Sequence, residues 1–271
     1  MSVQTSEGTP GALPPAWSSP PDEPALAAGE VHVWRAALDR SEQVRARLAA
    51  KLSVEERARA KRIAVVDGRE RWIVGRGILR VILGRYLDIP PEQVAIRADP
   101  SGKPRLAEAA QASALSFNLS HSGSLALFAV ASGARLGIDV QEARELDAEQ
   151  IARRWFSPAE REALEALPEA ERRDAFFSCW SRKEAFAKAV GQGLLLSLSS
   201  FTVSVGCDEA PKLITSPPGH TSQWTLWDLA PGAGYAGALA VEGSSERLQC
   251  WDLTEREANL LRGEFPRPGA A

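Results

Sequence analysis

The spacing of apolar residues along this chain switches repeatedly between a helical and a strand period, and that alternation restricts the fold more than any single motif does. From Arg69 to Leu87, Trp72, Ile73, Ile78, Leu79, Ile82, Leu83, Tyr86 and Leu87 recur at spacings of three and four, which predicts an amphipathic helix. Gly75, Gly77 and Gly84 each cost roughly 1 kcal/mol against alanine in an exposed helix, so a closely packed neighbour is expected there. Val31 to Ala37 reads as an edge strand, followed by helical sequence from Ser41 and by a second helix opened by Ser53, with Glu56 completing a capping box. Short strands follow: Ala95 to Leu106, broken by the turn Asp99-Pro100-Ser101-Gly102, then Leu115 to Leu119, Leu125 to Val130 and Leu136 to Val140. Helical sequence returns at Asp147 to Trp155, at Ser157-Pro158 and from Ala170 to Val190, before strands at Phe201 to Val205, Gln223 to Leu229 and Tyr235 to Val241. Strands set between groups of helices predict an α+β protein of two lobes meeting near Gly133, with no tandem repeat visible.

The 271 residues suffice for one large or two small cores, and Cys179, Cys207 and Cys250, few and widely spaced, form no Cys-x-x-Cys pair, so neither a disulfide framework nor a zinc site is suggested. A reducing, cytoplasmic setting is the expectation. The first 30 residues, rich in Pro, Gly, Ser and Ala, lack the features of a secretory signal and read as a flexible tail. No apolar run approaches the ~20 residues of a membrane span. A net charge of −3 argues against a general affinity for nucleic acid. Arginines are nevertheless dense between Arg45 and Arg85, as a solvated helix face or a polyphosphate site requires.

Three segments hold residue types suited to chemistry. In Gly137-Ile138-Asp139-Val140-Gln141-Glu142, at a strand end, alternation puts Asp139 and Gln141 on one side; this is either a solvated strand end or a magnesium site. In the helix carrying Trp180-Ser181-Arg182-Lys183-Glu184-Ala185-Phe186-Ala187-Lys188, Glu184 and Lys188 share a face, as in an ordinary surface ion pair. Gly191 and Gly193 then stop the helix. Phe117-Asn118-Leu119-Ser120-His121-Ser122 is a polar cluster between apolar strands, with Gly102-Lys103-Pro104-Arg105 upstream. His121 fits either a structural turn or a phosphate site, and no Gly-x-Ser-x-Gly elbow marks a serine nucleophile.

Taken in chain order, the three segments together with the upstream Gly102-Lys103-Pro104 turn resemble the Sfp-type 4′-phosphopantetheinyl transferases, with their Gly-Lys-Pro turn, Asn-x-Ser-His-Ser turn, Gly-x-Asp-x-Glu strand end and Trp-x-x-Lys-Glu-Ala helix. The resemblance spans roughly Ser53 to Leu229. It implies two similar α/β lobes related by a pseudo-twofold axis: residues 31–133 as the N-terminal lobe and 134–245 as the C-terminal lobe, flanked by tails at 1–30 and 246–271. It implies transfer of the 4′-phosphopantetheine arm of coenzyme A to a serine of an apo acyl or peptidyl carrier protein, leaving adenosine 3′,5′-bisphosphate. By position, Asp139 and Glu184 are magnesium ligands and Lys188 contacts phosphate. Lys103, Pro104, Ser120 and His121 hold the adenosine 3′-phosphate end, aided by Arg59 and Arg71. Gln141 stands where the family has a second acidic residue, so it offers an amide oxygen in place of a charge. Two related lobes in one chain imply a monomer. A carrier of fatty acid, polyketide or non-ribosomal peptide synthesis is the expected partner, and Arg153, Arg154, Arg172, Arg173 and Arg182 form a basic surface for it. The alternatives are a non-catalytic coenzyme A or nucleotide-binding protein with a degenerate metal site, and a nucleic-acid module built on the arginine-rich helices.

Overall fold

The computed structural model describes residues 16–107, 114–193, 196–207, 209–244 and 247–253. The two halves of the chain repeat one plan. The first runs β1 (Glu30–Ala37), α1 (Glu42–Ala50), α2 (Val54–Lys61), α3 (Val66–Leu87), a hairpin of β2 (Ile96–Ala98) and β3 (Pro104–Leu106), β4 (Leu115–Ser122) and β5 (Leu125–Ser132). The second runs β6 (Leu136–Glu142), α4 (Ala148–Trp155), α5 (Pro158–Ala166), α6 (Glu169–Val190), a hairpin of β7 (Thr202–Val203) and β8 (Leu213–Thr215), β9 (Trp224–Leu229) and β10 (Tyr235–Glu242). In each half the first long strand pairs antiparallel with the last, and the last with the one before it, giving the orders β1-β5-β4 and β6-β10-β9. The third helix of each half is 22 residues long. The resemblance implied this repeat, whereas periodicity alone did not reveal it, because the halves share a pattern of elements and not of residues.

Two sequence expectations are corrected at the chain ends. Arg247–Asp252, placed in a tail by the sequence reading, is strand β11, which pairs parallel with β1. β1 is therefore an interior strand and not an edge, which agrees with its near-continuous burial. Within the expected N-terminal tail, Ser18 bridges to Trp251 and the Trp17 indole donates to the Ala230 carbonyl at 2.5 Å. Residues 1–15 and 254–271, the outer parts of the two expected tails, lie outside the described residues. Hairpin strand β8 was not anticipated either, being three residues long and half exposed.

Strand alternation sorts the apolar residues into three cores. Trp34, Ala36, Phe117 and Phe128 face α3, whereas Val33, Leu127, Ile138, Val140, Trp227 and Leu239 fill the space between the two sheets. Phe176, Phe186, Leu226, Ala238 and Ala240 pack between α6 and the second sheet. The order is thus helix, sheet, sheet, helix, and each fully buried large apolar side chain contributes about 1.5–3 kcal/mol. Gly77 has the close neighbour that its place in a helix predicts: a Cβ there would lie 2.6 Å from the Leu48 Cβ of α1.

The expected capping box forms at Ser53 with Glu56, and a second forms at Ser157 with Glu160. Each acidic cap also anchors a cation. Glu56 binds Arg76 and Arg80, and the guanidinium of Arg80 also donates to the Pro91 and Val94 carbonyls. Glu160, fully buried, takes the Lys183 ammonium on both oxygens at 2.7 Å, and Lys183 donates further to the Phe201 carbonyl. Removing one member of such a pair strands a charge in the core. Lys183→Ala is therefore expected to destabilise the fold by about 3–5 kcal/mol, read from urea unfolding, and a loss below ~1 kcal/mol would mean that Glu160 is solvated.

Candidate active site between the lobes

β4 and β6 meet through side chains. The residues of β4 that alternation turns toward β6 are all polar: Ser116, Asn118, Ser120 and Ser122. Asn118 Oδ1 accepts from the Ile138 amide at 2.9 Å, Ser122 Oγ accepts from the Glu142 amide at 3.0 Å, and Ser116 Oγ donates to the Ala134 carbonyl. These bonds satisfy backbone groups at the edge of β6 and just before it that would otherwise be buried without partners. The polar cluster is thus first of all the seam between the lobes.

β6 presents Gly137, Asp139 and Gln141 to α6. A Cβ at Gly137 would fall on the Ala185 carbonyl oxygen and the Ala189 nitrogen and lie 2.9 Å from the Lys188 carbonyl carbon, so only glycine lets helix and strand approach this closely. That approach brings Asp139, 2% exposed, against Lys188, whose ammonium donates to Asp139 Oδ1 at 2.6 Å, Ser120 Oγ at 2.9 Å and the Ile138 carbonyl at 3.2 Å. Ser120 donates to the same Asp139 oxygen at 2.9 Å, and Gln141 Nε2 donates to Oδ2 at 2.8 Å. Lys188 therefore pairs with Asp139 and not with Glu184, its neighbour one turn away.

The Glu184 carboxylate makes no hydrogen bond or ion pair among the described residues. Burial pushes its carboxyl above the usual carboxylate range, and the nearby charge of Asp139 pushes it further, against an opposing pull from Lys188. The two carboxylates are thus near enough for the charge of one to disfavour the charge of the other. Among the described residues no group of three His, Cys, Asp or Glu side chains forms a metal cluster, so a cation here would rely on Asp139, Glu184 and the amide oxygen of Gln141. Glu142 points elsewhere, to the β4–β5 turn at Gly123 and to the Tyr235 hydroxyl.

A cleft of ≈ 960 Å³ in the first lobe lies beside this centre, lined by Arg59, Arg62, Arg71, Trp72, Pro104 and His121 among others. His121 links the two: burial first, and then the positive charge of Lys188, hold its imidazole below the ordinary value. Arg59 stacks over Trp72, and Arg71 is bonded through two nitrogens to Asp39.

Lys103 and Ser120 do not join the cleft. Lys103 donates to the Leu136 and Lys188 carbonyls, tying the β2–β3 turn to β6 and to the last turn of α6, and burial followed by the charge of Arg105 lowers its pKa to about 8. Ser120 turns to Asp139 because it stands one residue before His121 on a strand. Arg182 is not on a basic surface either: it is fully buried, with its guanidinium on Asp228, Ser204 and Gly206. Arg153, Arg154, Arg172 and Arg173 are exposed. The sequence reading missed Lys183 and Arg182 as anchors of α6, and the only signal for them was their position opposite the face that carries Glu184 and Lys188.

A sequence profile of the 4′-phosphopantetheinyl transferase superfamily matches residues 135–240. A second, described as 4′-phosphopantetheinyl transferase, N-terminal, matches residues 37–133. The chain is 40% identical to 4′-phosphopantetheinyl transferase HetI of Nostoc sp. (strain PCC 7120), over 87% of this chain and 97% of that one. It is 39% identical to 4′-phosphopantetheinyl transferase psf-1 of Bacillus pumilus, over 77% and 89% of the two chains. With 4′-phosphopantetheinyl transferase Sfp of Bacillus subtilis (strain 168) it shares 31% identity, over 67% and 79%.

Proposed function

Given that the chain belongs to the 4′-phosphopantetheinyl transferase superfamily, we propose that the centre between its lobes moves the phosphopantetheine arm of coenzyme A to a serine of a carrier protein. The observation that carries this reading is the convergence of Asp139, Glu184 and Lys188 beside an arginine-lined cleft. Arg59, Arg62 and His121, with Arg71 once it leaves Asp39, hold the adenosine 3′-phosphate end. Lys188 receives the diphosphate. The serine oxygen bonds to the β-phosphorus, the bond from that phosphorus to the oxygen of adenosine 3′,5′-bisphosphate breaks, and the serine proton passes to Glu184 directly or through water. Negative charge grows on the departing bisphosphate, where an ammonium stabilises it.

The residues fit a magnesium ion. Glu184 lacks a partner and is repelled by Asp139, an arrangement that a divalent cation between them relieves. Asp139 and Glu184 would hold it, with Gln141 offering its oxygen once the amide turns from its present bond to Asp139. Such an ion supplies Lewis-acid stabilisation of the phosphate oxygens. Gln141→Glu adds a third carboxylate and is expected to lower the magnesium concentration giving half-maximal rate by about tenfold or more; an unchanged or higher requirement would remove residue 141 from the cation site.

The exposed Arg153, Arg154, Arg172 and Arg173 are the surface offered to an acidic carrier of fatty acid, polyketide or non-ribosomal peptide synthesis. No described helix is long and apolar enough to cross a membrane. We read the enzyme as a cytoplasmic monomer without nucleic-acid partners; Arg76 and Arg80 of the arginine-rich run are tied to Glu56 and are not offered to a phosphate backbone. The test is to incubate the chain with coenzyme A, Mg²⁺ and a panel of apo carriers, with and without chelator. Addition of the arm's mass to a carrier, lost with chelator, is the expected result. Coenzyme A binding with no mass added to any carrier would favour a non-catalytic binding protein.

A further inference from the structure

Both oxygens of Asp139 have partners within the protein. Oδ1 accepts from Lys188 Nζ and Ser120 Oγ, and Oδ2 accepts from Gln141 Nε2. The ammonium is equally well satisfied, with three acceptors for its three N–H groups in Asp139, Ser120 and the Ile138 carbonyl. Lys188 is thus a seated counter-ion. The exposures of the pair differ sharply: the Lys188 side chain is 30% exposed and that of Asp139 only 2%. An anion arriving from solvent reaches Lys188, whereas a cation reaches Asp139 only by displacing donors already in place. The backbone of Lys188 is fixed, because Lys103 holds its carbonyl and the helix packs on Gly137. What is free to move is the side chain.

We propose that Lys188 excludes the divalent cation from Asp139 until the diphosphate of coenzyme A draws the ammonium away, so that cation and coenzyme load together. The inference rests on the reading of Asp139 and Glu184 as cation ligands. Its physical content is competition between two cations for one carboxylate, since an ammonium and a divalent ion repel strongly at contact distance in a partly buried site. The diphosphate resolves it by offering the ammonium a new partner and the cation additional oxygens. Binding of either ligand then favours the other, and the coupling is reciprocal. Lys188 thereby acquires a role before any chemistry, in addition to its contact with phosphate.

The test is Mn²⁺ binding to the full chain by calorimetry, with and without coenzyme A and with no carrier present. Wild type is expected to bind Mn²⁺ weakly alone and far more tightly with coenzyme A. Lys188→Met removes the competing charge and is expected to tighten Mn²⁺ binding to the substrate-free protein by at least about tenfold, while the gain from coenzyme A shrinks. Lys188→Gln keeps a hydrogen-bond donor for Asp139 but carries no charge, and is expected to shift affinity in the same direction, which covers the case in which the methionine variant folds poorly. Unchanged or weaker Mn²⁺ binding in both variants without coenzyme A would overturn the proposal. So would wild-type affinity that is the same with and without coenzyme A, although the cation ligands would then stand. Failure of every protein to bind Mn²⁺ even with coenzyme A would remove the cation reading, and this inference with it.

Discussion

Replacing Glu184 by glutamine is expected to slow transfer to a carrier by about 10²–10³-fold or more, while leaving the thermal midpoint unchanged or slightly raised. The two effects have opposite signs for one reason. In the folded chain the Glu184 carboxylate has no hydrogen-bond partner among the described residues, and it lies partly buried beside the charge of Asp139. It contributes nothing visible to stability, so an amide of the same shape relieves an unfavourable charge. The carboxylate is retained for a step in which positive charge arrives next to it. Asp139→Asn should behave differently, losing activity and stability together, because it deprives the Lys188 ammonium of its charged partner at 2.6 Å. The measurements are the rate of mass addition to an apo carrier and the melting temperature of each variant. A Glu184→Gln protein that transfers at the wild-type rate would end the assignment of this centre.

The contrast between these two carboxylates also shows what was legible beforehand. Glu184 and Asp139 stood out because strand and helix periodicity gave each a definite face, and the order of the motifs joined them. The partner of Lys188 was not legible. Its helical spacing pointed to Glu184, but the ammonium crosses to β6, because Gly137 brings that strand within reach. A pattern local to one element does not reveal which other element lies against it. The same limit explains Arg182, which the sequence placed on a basic surface, and Lys183, to which it gave no role, until Asp228 and Glu160, remote in sequence, proved to neutralise them in the core. It explains β11 as well, since its parallel partner β1 lies at the other end of the chain and no local pattern joins the two. Ser120 and His121 could have been separated in advance. Alternation on a strand sends neighbours to opposite faces, and the polar series Ser116, Asn118, Ser120, Ser122 was already a period-two signal for a buried seam.

Gly137→Ala is expected to destabilise the chain by about 3 kcal/mol, the upper end of the overpacking range, and to depress transfer further in the fraction that remains folded. The added methyl would meet backbone on α6: the Ala185 carbonyl oxygen, the Ala189 nitrogen and, at 2.9 Å, the Lys188 carbonyl carbon. Backbone atoms of a helix cannot turn aside singly as a side-chain tip can, so the strain is relieved only by moving α6 away from β6. Glu184 and Lys188 ride on that helix, and Asp139 and Gln141 on that strand. A separation of about 1 Å between catalytic groups is enough to cost on the order of 10²-fold in rate. Gly77→Ala serves as the comparison: its Cβ would also strike backbone, 2.9 Å from the Leu48 carbonyl oxygen, but at the α1–α3 contact of the first lobe. It should lower stability with a smaller effect on the folded enzyme's rate. Urea unfolding and transfer rates measured well below the unfolding midpoint separate the two effects. If Gly137→Ala matched Gly77→Ala in both stability and rate, the close packing of α6 on β6 would be a structural contact only, and the alignment of Asp139 with Glu184 would have to be held by other residues.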